Sequence, residues 1–233
     1  MTGTALHAWR DACRSHAAQA ALAEARSLWS LHAQSGLPFS HRWEHVQEVV
    51  RLALWLGHMM GADVEIVEAA AWLHDVCKQE PRHAEAGALE AERFLPSTDF
   101  PIEKRAAVVE AIRLHEGFYR DAGAPPIQPL EAAVLWDADK LSKLGVQSIA
   151  YNAGTPYTAG MTLEQRRDYM DSFARSVLGR TVQSMNTTPA RTEAERRYDD
   201  MMHALDAWAR EAQLGKAAEP AGQGAWEAGE EQA

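Results

Sequence analysis

Ala69-Ala70-Ala71-Trp72-Leu73-His74-Asp75-Val76-Cys77-Lys78 is the stretch on which the reading of this chain turns. An apolar, helix-forming run, Ala69 to Leu73, delivers a histidine and an aspartate side by side. A soluble helix that buries its face has no packing use for two titratable groups there, because a carboxylate taken out of water is costly unless paired. The doublet asks for partners elsewhere in the chain.

Working outward, the hydrophobic spacing is helical throughout. Leu6 to Ser35 reads as one or two helices and is broken at Gly36-Leu37-Pro38. Ser40 is placed to cap a helix over about His41 to Met60, stopped by Gly61. Asp63 caps the next, which is expected to run through the doublet to about Lys78. Further helices are expected over about His83–Leu95, Pro101 to Glu116-Gly117, Leu130–Leu144, Leu163–Arg180 and Thr192–Leu214, the last capped by Thr192 with Glu195 three residues on. Gly154 to Gly160 reads as a loop. With no alternating pattern, internal repeat or sustained heptad, the expected fold class is all-α, a compact multi-helix bundle.

Composition narrows the function. The 233 residues are 46% hydrophobic and 24% charged, as in a globular protein with one sizeable core. No apolar run approaches the roughly 20 residues that span a bilayer, and the N-terminus lacks a secretion-signal pattern, so a cytoplasmic protein is expected. Two cysteines, Cys13 and Cys77, make neither a disulfide framework nor a Cys-x-x-Cys metal pair. A net charge of −10 and a pI near 5.5 argue against a nucleic-acid polymer as partner. They leave room for a small phosphorylated ligand held by a metal and local cations.

Ten histidines are present. His7, His16, His32, His58 and His203 stand alone and read as solvated or structural. His45 shares a helical face with Val49, Ala53 and Leu56. His74 continues the stripe of Val67 and Ala70-Ala71. His83 opens a helix, with Gly87 one turn later offering close backbone approach. His115 extends Ile102, Ala106, Val109 and Ile112, and Asp137 and Asp139 share one helix. Carboxylates among neutral imidazoles on successive inner faces call for a divalent cation. This nitrogen and oxygen set without thiolates suits Mn, Fe, Co, Ni or Zn. Six such residues with Asp75 bridging are enough for two ions about 3.5–4 Å apart.

In these residues the chain resembles the HD-domain phosphohydrolases, all-α metalloenzymes named for the His-Asp doublet. The resemblance spans roughly Ser40 to Tyr151, with the motifs in family order. His45 matches the leading histidine and His74-Asp75 the doublet, with Lys78 three residues on. His83 in His-Ala-Glu-Ala-Gly, His115-Glu116 and Asp139 in Ala-Asp-Lys-Leu match the later positions of two-metal members. Helical spacing instead groups Asp137 with Ala133, Leu141 and Leu144; we follow the family pattern and take Asp139.

The resemblance implies one or two divalent ions (Mn, Fe, Co, Ni, Mg or Zn) on His45, His74, Asp75, His83, His115 and Asp139. Asp75 and Lys78 are then the catalytic candidates. Lys78, Arg42 and Lys143 are the candidates for substrate phosphate, with Glu116 supporting a ligand imidazole. The expected organisation is a helical extension over 1–36, the metal-binding core over 37–151, added helices over 152–215 and a disordered tail over 216–233. Glu-Gly-Phe-Tyr-Arg after His115 lacks the Gly-Tyr-Pro of cyclic-dinucleotide phosphodiesterases. The expected activity is metal-dependent hydrolysis of a small phosphate ester, a nucleotide first. The rival readings are a di-iron oxygenase and a non-catalytic nucleotide-binding module. Whether the chain acts as a monomer or a homodimer is left open.

Overall fold

Three consecutive alanines, Ala69, Ala70 and Ala71, have no exposed surface, which lets neighbours approach their helix closely from several sides. The computed structural model describes residues 8–29, 40–121 and 123–214, and among these it is all-α, without strands. In chain order the helices are α1 (Ala8–Leu28), α2 (His41–Met60), α3 (Val64–Leu73), α4 (His83–Phe94) and α5 (Arg105–Arg113). Then come α6 (Leu130–Leu141), α7 (Val146–Ala153), α8 (Leu163–Phe173), α9 (Gly179–Gln183) and α10 (Thr188–Gln213). The alanine-rich α3 packs against α1, α2, α5 and α6, while α4 covers α5 and α10 closes over α6, α7 and α8.

Local chemistry sets the helix ends that aim the site. Gly61, at φ +69°, takes the left-handed conformation that ends α2, and its N–H donates to the Gly57 carbonyl. Two residues on, the Asp63 side chain accepts from the N–H groups of Glu65 (3.1 Å) and Ile66 (3.4 Å) and starts α3. This short turn folds α3 back along α2, so that His45 and His74 face one another. Leu52, Leu56, Leu73, Ile112, Leu135 and Leu141 fill the space between these helices. Each such side chain stabilises the fold by roughly 1.5–3 kcal/mol through burial.

Several expected boundaries are corrected. The third helix ends at Leu73 rather than Lys78 and passes into turns, with Lys78 N–H donating to the Asp75 carbonyl at 3.2 Å. The fifth stops at Arg113, and His115 N–H donates to Ile112 O in a closing turn. The sixth ends at Leu141, and α7 is a helix that periodicity did not mark. The stretch expected as one helix over Leu163–Arg180 is α8, a π-helical segment (Ala174–Leu178) and α9. The last helix starts at Thr188 with Thr187 as its cap, not at Thr192, because Pro189 suits the first turn and Asp137 holds Thr187 in place. The Thr155–Gly160 region contains a 3-10 turn at Pro156–Thr158. His7, His32 and the tail expected over 216–233 lie outside the described residues. No described helix is long and apolar enough to cross a membrane.

Candidate metal centre

His45 comes from the second turn of α2, and His74 and Asp75 from the end of α3. His83 opens α4, His115 lies just past α5, and Asp139 sits near the end of α6. The fold brings all six together. Around Asp75 Oδ2 stand His45 Nε2 (3.4 Å) and His74 Nε2 (3.6 Å), with Asp139 Oδ1 3.3 Å from His45 Nε2. Around Asp75 Oδ1 stand His115 Nε2 (3.5 Å) and His83 Nε2 (3.7 Å). The Asp75 carboxylate thus presents one oxygen to each half of the cluster. His45, His74, Asp139 and His74, Asp75, His115 each offer three close ligand atoms. His83 is half-buried at the rim; the other five are buried.

The outward nitrogens of three imidazoles decide what the inward ones can do. His74 Nδ1 lies 2.8 Å from the Ala71 carbonyl, and His115 Nδ1 lies 2.6 Å from the Ile112 carbonyl. A carbonyl only accepts, so each Nδ1 carries the hydrogen. His45 Nδ1 is 3.0 Å from Ser142 Oγ, whose hydroxyl already donates to the Asp139 carbonyl at 2.7 Å, so this Nδ1 also donates. Burial drives the pKa of His74 well below its usual value and keeps the ring neutral. For His83, burial and Lys78 lower it to about 4.

Neutral rings with Nδ1–H turn lone pairs on Nε2 inward. His74 does so 3.3 Å from His45 Nε2, both of these nitrogens face ionised carboxylates, and His115 Nε2 is buried with no hydrogen-bond partner among the described residues. Burial works against the Asp75 carboxylate, but Arg42 and Lys78 hold it well below the usual range. Lys140 and Lys143 do the same for Asp139. Facing lone pairs and anions fit a cation between them, as metal-binding imidazoles with carbonyl-anchored Nδ1 do.

The other expected residues are placed as follows. Lys78 Nζ is 3.2 Å from Asp75 Oδ1 and 3.0 Å from His83 Nε2. Arg42 is buried, with Nη1 donating to Asp75 Oδ2 at 2.5 Å. The Lys143 ammonium touches Asp139 Oδ1, not as the surface pair a helix spacing of four suggests but beside a buried carboxylate, and its pKa falls to about 8 as burial outweighs that anion. Glu116, 47% exposed on its side chain, stands 3.8 Å from His83 Nδ1. Asp137 is not in the cluster. It accepts from the Asn186 N–H and side-chain amide (2.8 and 2.9 Å) and from the Thr187 N–H and hydroxyl (both 2.8 Å). Sequence reasoning missed Lys140, wholly buried, whose Nζ reaches Asp139 and donates to the His115 carbonyl at 2.7 Å. It missed His41 and Glu24 as well. His41 is one helical turn before His45, and Glu24 continues the Cys13, Ala17, Ala21 stripe, so both carried a readable signal.

Gly87 gives the close approach its position suggests. A Cβ there would meet the His74 carbonyl oxygen at 3.0 Å and Ile112 Cγ2 at 3.5 Å. Gly87→Ala is expected to destabilise the protein by about 1 kcal/mol, because overpacking of about 1–3 kcal/mol outweighs the helical gain of Ala over Gly. Since α4 must shift, the half of the cluster holding His83 is expected to lose metal first. Thermal melts and metal stoichiometry check both.

Comparison with known proteins places the chain in a family. The HD-domain family model matches residues 42–144. The uncharacterized protein YpgQ of Bacillus subtilis strain 168 is 30% identical over 167 residues, covering 70% of this chain and 80% of YpgQ. The chain belongs to the HD-domain family. The crystal structure of YpgQ in complex with ADP superposes with a TM-score of 0.58 at 25% identity, over 84% of this HD protein and 95% of that chain. An HD-superfamily hydrolase of Bacillus thuringiensis shares the fold, with a TM-score of 0.59 at 21% identity over 87% and 99% of the two chains. The architecture is that of the HD-superfamily hydrolases.

Proposed function

We propose that this HD protein is a divalent-metal-dependent phosphohydrolase that cleaves a small phosphate ester, a nucleotide, by attack of an activated water. The observation that carries the reading is the set of inward Nε2 atoms facing ionised Asp75 and Asp139. His45, His74, Asp75 and Asp139 would hold one ion, and Asp75, His83 and His115 a second. When bound, such ions lower the pKa of a coordinated water to about 7 and polarise a phosphoryl oxygen.

The chain's own residues supply the rest. A pocket of about 360 Å³ adjoins the cluster and is walled by Arg42, Lys78 and Lys143, with no carboxylate among the described residues that line it. In a chain of net charge −10 this is a local reversal of sign, and it supports an anionic ligand. Lys78 and Lys143 would offset charge on the equatorial phosphoryl oxygens. Asp75 orients the attacking water. Beyond the cations, Phe118, Tyr151, Tyr157, Tyr169 and Phe173 form an aromatic side suited to a flat ring. The ADP complex of YpgQ lends weight to a nucleotide.

Elemental analysis of the purified chain is expected to find about two divalent ions. Phosphate release from a nucleotide panel should then depend on added Mn, Co, Ni, Fe, Mg or Zn. Tightly bound iron with oxygen uptake and no phosphate from any ester would replace this reading by an oxygenase. Tight nucleotide binding without turnover would leave a binding module.

A further inference from the structure

Glu24 lies on α1, outside the segment matched by the HD-domain family model, yet its carboxylate is only 5% exposed and reaches the wall of the site. It accepts from Arg42 Nε at 2.9 Å and Nη2 at 3.2 Å. His41 Nε2 stands 3.6 Å from Glu24 Oε1, and among the described residues neither ring nitrogen of His41, 1% exposed, has a hydrogen-bond partner. Glu24 therefore engages the whole Nε/Nη2 edge of the guanidinium. Only Nη1 is left to face the cluster, where it meets Asp75 Oδ2 at 2.5 Å.

A buried Arg–Glu pair is weak evidence of stability, since apolar residues of similar volume often serve as well. Orientation explains it better. A guanidinium beside a single carboxylate prefers the two-pronged contact, and without Glu24 the fork of Arg42 would turn onto both oxygens of Asp75. Those are the oxygens that the two halves of the cluster share. We propose that Glu24 is a positioning residue for phosphoryl binding. It occupies one edge of Arg42, keeps the second prong of the fork off Asp75 Oδ1, and leaves Nη1, which gives one hydrogen to Asp75 Oδ2, its other hydrogen for a phosphoryl oxygen of the substrate. The first helix is then part of the working site and not a cover for it. This inference rests on the phosphohydrolase reading.

The test uses the full chain as wild type, Glu24→Gln, Glu24→Asp, Glu24→Ala, Arg42→Ala and the Glu24→Ala/Arg42→Ala double variant. Metal content, melting temperature, ADP affinity by calorimetry, and KM and kcat on the wild type's preferred nucleotide are read for each. Glu24→Gln is expected to weaken ADP binding and raise KM by about 10- to 100-fold, as losses of supporting partners do, with metal content retained because the Gln carbonyl still accepts from one prong of Arg42, whereas Glu24→Ala should lose metal as well. Glu24→Asp should recover part of this. In the Arg42→Ala background, Glu24→Ala should add less than about twofold, because Glu24 acts through Arg42. Additive losses in the double variant, or a folded Glu24→Gln with unchanged ADP affinity and KM, would overturn the inference while leaving the phosphohydrolase standing. A wild type that neither binds ADP nor releases phosphate removes the functional reading and this inference with it.

Discussion

Asp75→Ala is expected to reduce bound metal to below one ion per chain and to lower phosphate release by about 10³-fold or more, since it removes both the shared ligand and preorganised charge. The reason is geometric. One carboxylate stands within 3.4–3.7 Å of four imidazole nitrogens, with Oδ2 toward His45 and His74 and Oδ1 toward His83 and His115. Among the described residues no other acid can replace it in both halves, because Asp139 reaches only the His45–His74 side. The substitution also leaves Arg42 Nη1 and Lys78 Nζ without their anion. Breaking a buried pair in this way costs roughly 3–5 kcal/mol, so metal content and activity are to be compared per folded molecule, after a melt. Metal content and hydrolysis that both survive Asp75→Ala would remove Asp75 from the centre of the reading.

Asp137→Ala is expected to do the reverse: a large loss of stability with metal retained. Asp137 has no exposed surface and gathers four donors from Asn186 and Thr187, which ties α6 to the start of α10. Removing it strands buried N–H and hydroxyl groups and loosens the cap of a 26-residue helix. Unsatisfied donors and a lost cap together cost roughly 3–5 kcal/mol, which in a chain of this size lowers the melting temperature by roughly 10 °C. Below that melt, metal stoichiometry should match the wild type. A metal-depleted Asp137→Ala with an unchanged melt would exchange the roles of Asp137 and Asp139.

These two aspartates mark the boundary of what could be read beforehand. Two residues apart on one helix, both in apolar surroundings, they look alike in sequence, and helical spacing even favoured Asp137. What separates them is which neighbour each meets: α10 for one, α2 and its His45 for the other. Similarly, Asp63, Gly61 and Gly87 were legible because their roles follow from local backbone geometry. Thr187 was not, because a distant carboxylate holds it. Helix α7 escaped although Val146, Ile149, Ala150 and Ala153 recur at helical spacing, because eight residues make only about two turns and the glycines at both ends, Gly145 and Gly154, read as loop. The end of α3 was extended too far because helix-forming residues continue past Leu73, while tertiary packing turns the chain there.

The sequence by itself determined the all-α class, the order of the site's helices and the His-Asp doublet, because these depend on side-chain spacing and on the cost of burying charge. Only the tertiary structure decided which nitrogen of each imidazole faces inward and which aspartate joins the cluster. It alone brought Glu24 of the first helix to Arg42. Carbonyl anchors, buried pairs and a cation-lined pocket arise between helices far apart in the chain, and no local pattern encodes them.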